Sequence, residues 1–324
     1  MPVLPAHLVA TPVLERLTDA VRGRVLGAGA TAAWVDLDGF VAAVTTREVP
    51  LLPNAIALAA GSGALAGAGA GPGGTARLTA GRVTLGSLRI TWDPAAPPRW
   101  DPAVPVPSGV SRGAVGARAT ALLHALGAGA VDSQLNRIPQ SATLPHRGPA
   151  QPAGAVARAL VRELGRTGLA TATDPDGAAG LTLLFRAVAA RDPEPAAAAV
   201  RALLGRGPGL TPEGDDLLAA VAGTLAVLGP AIGPPAAAWN PMLAALQPPP
   251  GRTTALSATL LGLALDRRLP EPAARLLDLG PAGEQAWPAA LARLERLGHG
   301  SGRAYAAGIA ATAGLLAHGP PARR

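Results

Sequence analysis

The chain has 324 residues with a formal net charge of +7, and it contains neither cysteine nor lysine, so that all 28 of its basic residues are arginines. Disulfides, thiolate nucleophiles and cysteine-ligated metals are therefore excluded, as are Schiff-base lysines and the lysine of a phosphate-binding P-loop. The arginines are scattered and aromatic residues make up only 2% of the chain, which disfavours nucleic acid as a partner despite the basic charge.

The first third of the chain is predicted to consist mostly of β-strands. A short helix is expected first, over residues 11–25. Residues 32–45 predict a hairpin, because apolar residues flank a turn in which Gly39 can adopt a positive φ. Alternating or continuous apolar residues predict further strands at 56–60, 77–79, 82–85 and 88–92.

Beyond a proline-dense segment the hydrophobic period becomes helical. Helices are predicted near residues 111–128, 152–166, 194–205, 212–229, 252–268, 270–279, 284–297 and 301–317. The sequence thus predicts an α+β fold with a small β-rich N-terminal domain over residues 1–95, a Pro-rich linker over 96–110 and a larger, mostly α-helical domain over 111–324. No secretory signal and no unbroken apolar span of ~20 residues is recognised, so we expect a cytoplasmic protein outside the membrane.

Three glycine-rich segments of the helical part carry most of the polar residues of interest. The first is the segment 205–216, and its candidate residues are Gly207, Gly209, Thr211, Asp215 and Asp216. Its glycines allow the backbone to approach a ligand closely, and the threonine and the following Pro212 are predicted to be the N-cap and the first residue of a helix. A glycine-rich loop that enters a helix N-terminus is suited to an anion. The aspartates would position a substrate amide or a divalent ion, or else they would only cap the helix.

The second and third segments add hydroxyls, an arginine and a histidine. Residues 251–261 place Arg252, Thr253, Thr254 and Ser257 at the start of a helix, where they suit an oxyanion or serve as ordinary caps. Residues 297–309 contain His299 and Ser301. A serine and a histidine two residues apart in a loop rarely reach each other, so we expect this segment to line the same pocket or to form a tight helix–helix turn, not a nucleophile–base pair.

Together the three segments resemble the bacterial domain-of-unknown-function family that includes the AllH-type subunit of oxamate carbamoyltransferase. The resemblance lies in residues 207–216, 252–257 and 298–302, and it covers residues 200–318 well and the N-terminal third only in general character. One departure is that Arg303 and Ala304 follow the third motif, where members of the family often carry an acidic residue.

The resemblance implies a subunit that moves a carbamoyl group between carbamoyl phosphate and oxamate in allantoin degradation, together with sister subunits. It implies catalytic roles for Asp215, Asp216 and Arg252. Substrate or anion binding falls to Gly207, Gly209, Thr211, Thr253, Thr254, Ser257, His299 and Ser301. No cofactor is required by the sequence, although the aspartates could hold Mg²⁺. The alternative is a non-catalytic regulatory module that binds phosphate or carboxylate at the same place; a nucleic-acid-binding protein is less favoured.

Overall fold

The N-terminal part of the protein is one curved β-sheet. The structure is a computed structural model that describes residues 2–17, 19–66, 69, 71–127 and 153–318. Within these ranges the strands are β1 (Val3–Ala10), β2 (Val21–Ala28), β3 (Ala32–Leu37), β4 (Phe40–Thr45), β5 (Ala55–Leu58), β6 (Thr75–Thr79), β7 (Arg82–Leu85), β8 (Leu88–Thr91) and β9 (Arg99–Trp100).

Strand β1 closes this sheet into a barrel. The strand order is β5-β4-β3-β2-β6-β7-β8-β1-β9, and an additional antiparallel pairing joins β1 to β5. Eight strands therefore form a closed ring, to which β9 is added alongside β1. The predicted fold class, an α+β arrangement of a small β-rich domain followed by a larger helical one, is wrong in that it did not contain this closed barrel. The closing contacts of β1 with β5 and β8 join strands far apart in sequence, and such pairings leave no local pattern.

The predicted helix over residues 11–25 is also wrong. Only four residues form helix α1 (Thr11–Leu14), and the chain then enters β2, which pairs with β3 and β6. Gly23 explains why a strand is possible here: a Cβ at this position would lie 2.5 Å from a methyl group of Val35 on the neighbouring strand. The hairpin prediction is confirmed by β3 and β4, whose turn contains Asp38 and Gly39 with φ values of 52° and 90°.

The remainder of the described chain is helical. Its helices are α2 (Arg112–Ala125), α3 (Ala153–Arg166), α4 (Ala170–Thr173), α5 (Pro175–Ala190), α6 (Pro193–Leu203), α7 (Glu213–Ile232), α8 (Asn240–Ala245), α9 (Ala255–Leu265), α10 (Glu271–Leu276), α11 (Pro281–Leu294) and α12 (Ser301–His318), with a 3₁₀ turn at Ala236–Trp239. Helix α7 is long and apolar enough to cross a membrane, but 83% of its most apolar window is buried inside the protein, which is typical of a core helix.

Helices α7 and α12 form the centre of the helical part. They pack closely because Gly308 of α12 faces Ala220 of α7, where a Cβ would come within 2.7 Å of the alanine methyl group. Helix α9 packs against α7 on one side and against the barrel on the other. Leu256 and Leu260 of α9 are buried with Val41 of β4, and Leu263 belongs to the barrel core. The described helices and the barrel are therefore joined through α9.

Residues 96–110, the predicted linker, also contact other parts of the protein. Strand β9 lies within this segment and pairs with β1. The amide of Val104 donates to the carbonyl of Arg267 (2.8 Å), and Ala103 forms a bridge with Arg268. The division of the chain into domains at this segment stays a prediction.

Candidate anion-binding site

The three motif segments meet because α7, α9 and α12 start at the same place. The hydroxyls of Thr211, before α7, and Ser301, at the start of α12, are 2.9 Å apart. The hydroxyl of Thr253, before α9, donates to the carboxylate of Asp215, and that of Thr254 donates to the carbonyl of Leu210 (2.6 Å). Three helix N-termini, each with a partial positive charge, are thus brought together.

The loop before α7, which we call the glycine loop (residues 205–211), presents backbone donors. Gly205, Gly207 and Gly209 have φ values of 74°, 110° and 97°, a region that side chains disfavour. The side chain of Leu210 lies next to Gly27 of strand β2. Within the described chain, the amides of residues 207, 209, 210 and 211 have no hydrogen-bond acceptor. Such a row of unpaired N–H groups at a helix N-terminus is suited to an anion.

Thr211 does not have the capping role predicted for it. Helix α7 begins at Glu213, Pro212 occupies the N-cap position, and no side chain caps the helix there. The predicted start of the helix was one residue too early. Because Thr211 lies outside the N-cap position, its hydroxyl does not cap α7 and instead bonds to that of Ser301. Thr254, in contrast, is the N-cap of α9 and accepts from the amide of Ser257 (3.1 Å).

Two of the three acidic residues in the first turn of α7 hold neighbouring backbone in place. Glu213 accepts from the amides of Thr171 (2.6 Å) and Ala170 (3.3 Å) at the start of α4. Asp215 accepts from the amide of Gly205 (2.8 Å) and from the hydroxyl of Thr253. The negative charges of these carboxylates are therefore directed at donors of the protein itself.

The third acidic residue, Asp216, lies beneath the bond between Thr211 and Ser301. It is only 3% exposed, and its Oδ2 atom has no hydrogen-bond partner in the described structure. Burial raises the pKa of Asp216 to about 8, and the hydroxyl of Ser301 opposes this rise while the charge of Asp215 adds to it. Asp216 is therefore mostly protonated at neutral pH.

Tyr305 belongs to the candidate site although it is not among the residues predicted from the sequence. It is fully buried on α12, its hydroxyl also lacks a partner in the described structure, and burial together with the neighbouring Asp216 raises its pKa. A signal was present, because Tyr305 is the single tyrosine of the chain and lies four residues after Ser301. Residues at this spacing share one face of a helix.

Arg252 and His299 lie at the exposed edge of the site. Their side chains form no hydrogen bond or ion pair with any described residue. Ser257 is buried, and its hydroxyl likewise lacks a partner among the described residues. The described structure gives no hydrogen bond between His299 and Ser301.

Arg303 and Ala304, the two residues that depart from the family pattern, contribute to the packing and stability of the helices. The Arg303 guanidinium donates to the carbonyls of Thr167 (2.6 Å) and Leu126, and it forms an ion pair with Glu295 (3.1 Å). These carbonyls follow the C-terminal ends of α3 and α2, where a cation is favoured. Ala304 is fully buried. Arg303 therefore stabilises helix ends.

The carboxylates of the site offer a metal ion few free ligands. No group of three or more histidine or acidic side chains suited to a metal occurs among the described residues. Both oxygens of Asp215 already accept hydrogen bonds, which leaves the Oδ2 atom of Asp216 as the unpaired carboxyl oxygen among the described aspartates of the site. The suggestion that the aspartates hold Mg²⁺ gains no support from this donor set.

Comparison with known proteins points to one family. The family model described as oxamate carbamoyltransferase subunit AllH matches residues 203–313. This segment runs from the end of α6 into α12 and contains all three motifs, so the resemblance inferred from the motifs is confirmed for this part of the chain. No curated protein and no solved structure matches the chain.

Proposed function

We propose that the protein is a subunit of an oxamate carbamoyltransferase that binds its anionic substrates where α7, α9 and α12 begin. One observation carries the proposal: the three motifs of the segment that resembles the AllH subunit, although up to about 90 residues apart, meet through direct contacts such as that between Thr211 and Ser301. Sister subunits, a cytoplasmic location and a place in allantoin degradation belong to the same proposal.

The charge distribution supports an anion at the glycine loop. Its free amides and the partial positive charges of three helices attract negative charge. The carboxylates that would oppose an anion are tied to other donors, as Asp215 and Glu213 are, or protonated, as Asp216 is. Arg252, which is exposed and has no partner among the described residues, would hold a phosphate or carboxylate group through its planar fork.

Each motif residue then has a role in the transfer. Gly207 and Gly209 bring the loop amides to the anion, and the hydroxyls of Thr211 and Ser301 face the reacting group. Thr253, Thr254 and Ser257 hold the start of α9 in position, and His299 lies at the entrance. Asp215 fixes the glycine loop to α9 and so preserves its shape.

The chemistry that such a site must support is the transfer of a carbamoyl group. The nitrogen of oxamate attacks the carbamoyl carbon of carbamoyl phosphate, the bond from this carbon to the phosphate oxygen breaks, and the nitrogen loses one proton. Charge builds up on the leaving phosphate, and preorganised backbone donors stabilise it. Neither a thiol nor a lysine is needed, in agreement with the composition of the chain.

The test is formation of oxalurate from carbamoyl phosphate and oxamate by the purified protein, alone and with sister subunits encoded beside it. We expect Arg252→Ala to reduce the rate about 100-fold, the loss typical when one charged donor to a developing anion is removed. Arg77→Ala is the matched control, since Arg77 is exposed on β6 and also unpartnered in the described structure. Absence of oxalurate in every combination, or equal losses for both variants, would refute the proposal. Binding of phosphate without any turnover would favour the regulatory module instead.

A further inference from the structure

Two buried polar groups beneath the site have no partner within the described protein. They are the Oδ2 atom of Asp216 on α7 and the hydroxyl of Tyr305 on α12. Both side chains are almost completely buried. Tyr305 lies near enough to Asp216 for the charge of an ionised Asp216 to raise the pKa of the tyrosine hydroxyl. Buried polar groups in native proteins nearly always have a hydrogen-bond partner. Together with the buried Ser257 hydroxyl, which also lacks a partner among the described residues, these two groups at the three motif segments indicate where a ligand is received.

We infer that Asp216 and Tyr305 form the floor of the site and receive an uncharged amide group, while the glycine loop and Arg252 hold the anionic end of the same ligand. This inference rests on the proposed function and adds to it a specificity-determining residue, Tyr305. The sides of the floor are the hydroxyls of Thr211 and Ser301, which bond to each other and lie next to the carboxyl group of Asp216.

The charges around the floor explain why it would receive a neutral group. On α7 the neighbours of Asp216 are the carboxylates of Glu213 and Asp215, and on α12 they are Tyr305 and Ser301, so that no cation among the described residues neutralises it. Burial keeps Asp216 protonated at neutral pH. A protonated carboxyl group offers one O–H donor and one carbonyl acceptor, which match the C=O and N–H groups of a primary amide. A second carboxylate at this place would be desolvated without a counter-charge.

The inference predicts discrimination between two ligands of almost the same size. Oxamate carries a carboxylate and an amide, whereas oxalate carries two carboxylates. We expect oxamate to bind at neutral pH at least about tenfold more tightly than oxalate, since a site built for hydrogen bonds rejects an analogue that leaves its buried polar groups unpaired. We also expect the affinity for oxamate to fall as the pH rises above about 8, where Asp216 ionises.

The experiment is isothermal titration calorimetry of the full chain with oxamate and with oxalate, in the presence and absence of inorganic phosphate. Tyr305→Phe keeps the ring and removes the hydroxyl, and we expect it to weaken oxamate binding about tenfold and leave oxalate binding unchanged. Thr312→Val is the matched control, because Thr312 is a fully buried residue of α12 whose hydroxyl also lacks a partner among the described residues. Asp216→Asn keeps a neutral floor, so it should retain the preference for oxamate and lose the decline above pH 8.

Three results would overturn the inference: no binding of oxamate, equal affinities for oxamate and oxalate, or equal effects of Tyr305→Phe and Thr312→Val. If Tyr305→Phe does not fold, as judged by circular dichroism, the pH profile of Asp216→Asn decides alone. The outcome is separable from that of the proposed function. A protein that prefers oxamate to oxalate but makes no oxalurate would support the amide-binding floor and refute the proposed carbamoyl transfer. A protein that makes oxalurate but binds oxamate and oxalate equally would support the transfer and refute the floor.

Discussion

Replacing Asp216 by asparagine tests whether burial controls this carboxyl group. In the folded protein the pKa of Asp216 is about 8, against an ordinary value of 3.8. Between these two values the folded protein retains a proton that the unfolded chain has released. Its contribution to stability is therefore complete below about pH 4 and is lost as the pH rises to about 8. Asparagine keeps the shape of the side chain and removes this dependence.

The size of the effect follows from the difference in pKa. Each pH unit in this range changes the free energy of unfolding by up to about 1.4 kcal/mol, so that from about pH 5 to about pH 8 the wild-type protein loses on the order of 3–4 kcal/mol through this group. Asp216→Asn does not share this loss. We expect the variant to gain this amount relative to the wild type over the same range.

The assay is guanidinium-induced unfolding of the ligand-free protein, followed by circular dichroism at several pH values. Comparing variant with wild type at each pH cancels the titration of all other groups. Thr312→Val, which changes a buried group that does not ionise, should differ from the wild type by the same amount at every pH. A difference between Asp216→Asn and wild type that stays constant with pH would refute the reasoning.

Two further predictions concern the packing of α12. Gly308→Ala should lower the free energy of unfolding by about 1 kcal/mol, because the new methyl group would lie 2.7 Å from that of Ala220 and overpacking outweighs the gain in helix propensity. Gly314→Ala, where the new methyl group would lie 3.8 Å from that of Ala119, should be neutral or stabilising. Thermal melts that rank the two variants in the opposite order would contradict this explanation. Arg303→Glu introduces the acidic residue often seen in the family. It should lower the free energy of unfolding by about 2 kcal/mol, since it removes a cation from the C-terminal ends of two helices and adds a negative charge there. A variant that is as stable as the wild type in thermal melts would show that these contacts contribute nothing to stability.

Local patterns in the sequence predicted structure only where local signals decide it. The hairpin of β3 and β4 was predicted from its alternation and from Gly39, and both signals act over a few residues. Helix α5 was missed although its start signal was present, since Asp174 caps the helix and Pro175 is its first residue. The helix expected at residues 11–25 was wrong because β2 is defined by its partners on both sides.

The barrel and the floor of the site depend on contacts between distant segments. Strand β1 pairs with β5, β8 and β9, which are distant from it in the sequence. Its parallel pairings with β8 and β9 need no tight turn, so no turn signal marks them in the sequence. The motif types predicted a shared pocket, because glycine loops and hydroxyls at helix starts serve the same purpose. The protonation of Asp216 and its proximity to Tyr305 could not be predicted in this way, since both depend on burial between two helices about 90 residues apart.

The contact between Val41 and Thr259 has a consequence for the synthesis of the protein on the ribosome. The amide of Val41 donates to the Thr259 hydroxyl (2.9 Å), and 218 residues separate the two. All described strands of the barrel have been translated by residue 100, yet the side of the barrel around Trp34 and Val41 receives its helical cover only when α9 leaves the exit tunnel. The 165 residues from the end of β9 to the end of α9 take roughly 8–33 seconds to translate at about 5–20 residues per second, and this apolar side is uncovered during that time. During this interval the nascent chain presents a surface that chaperones or neighbouring nascent chains can bind.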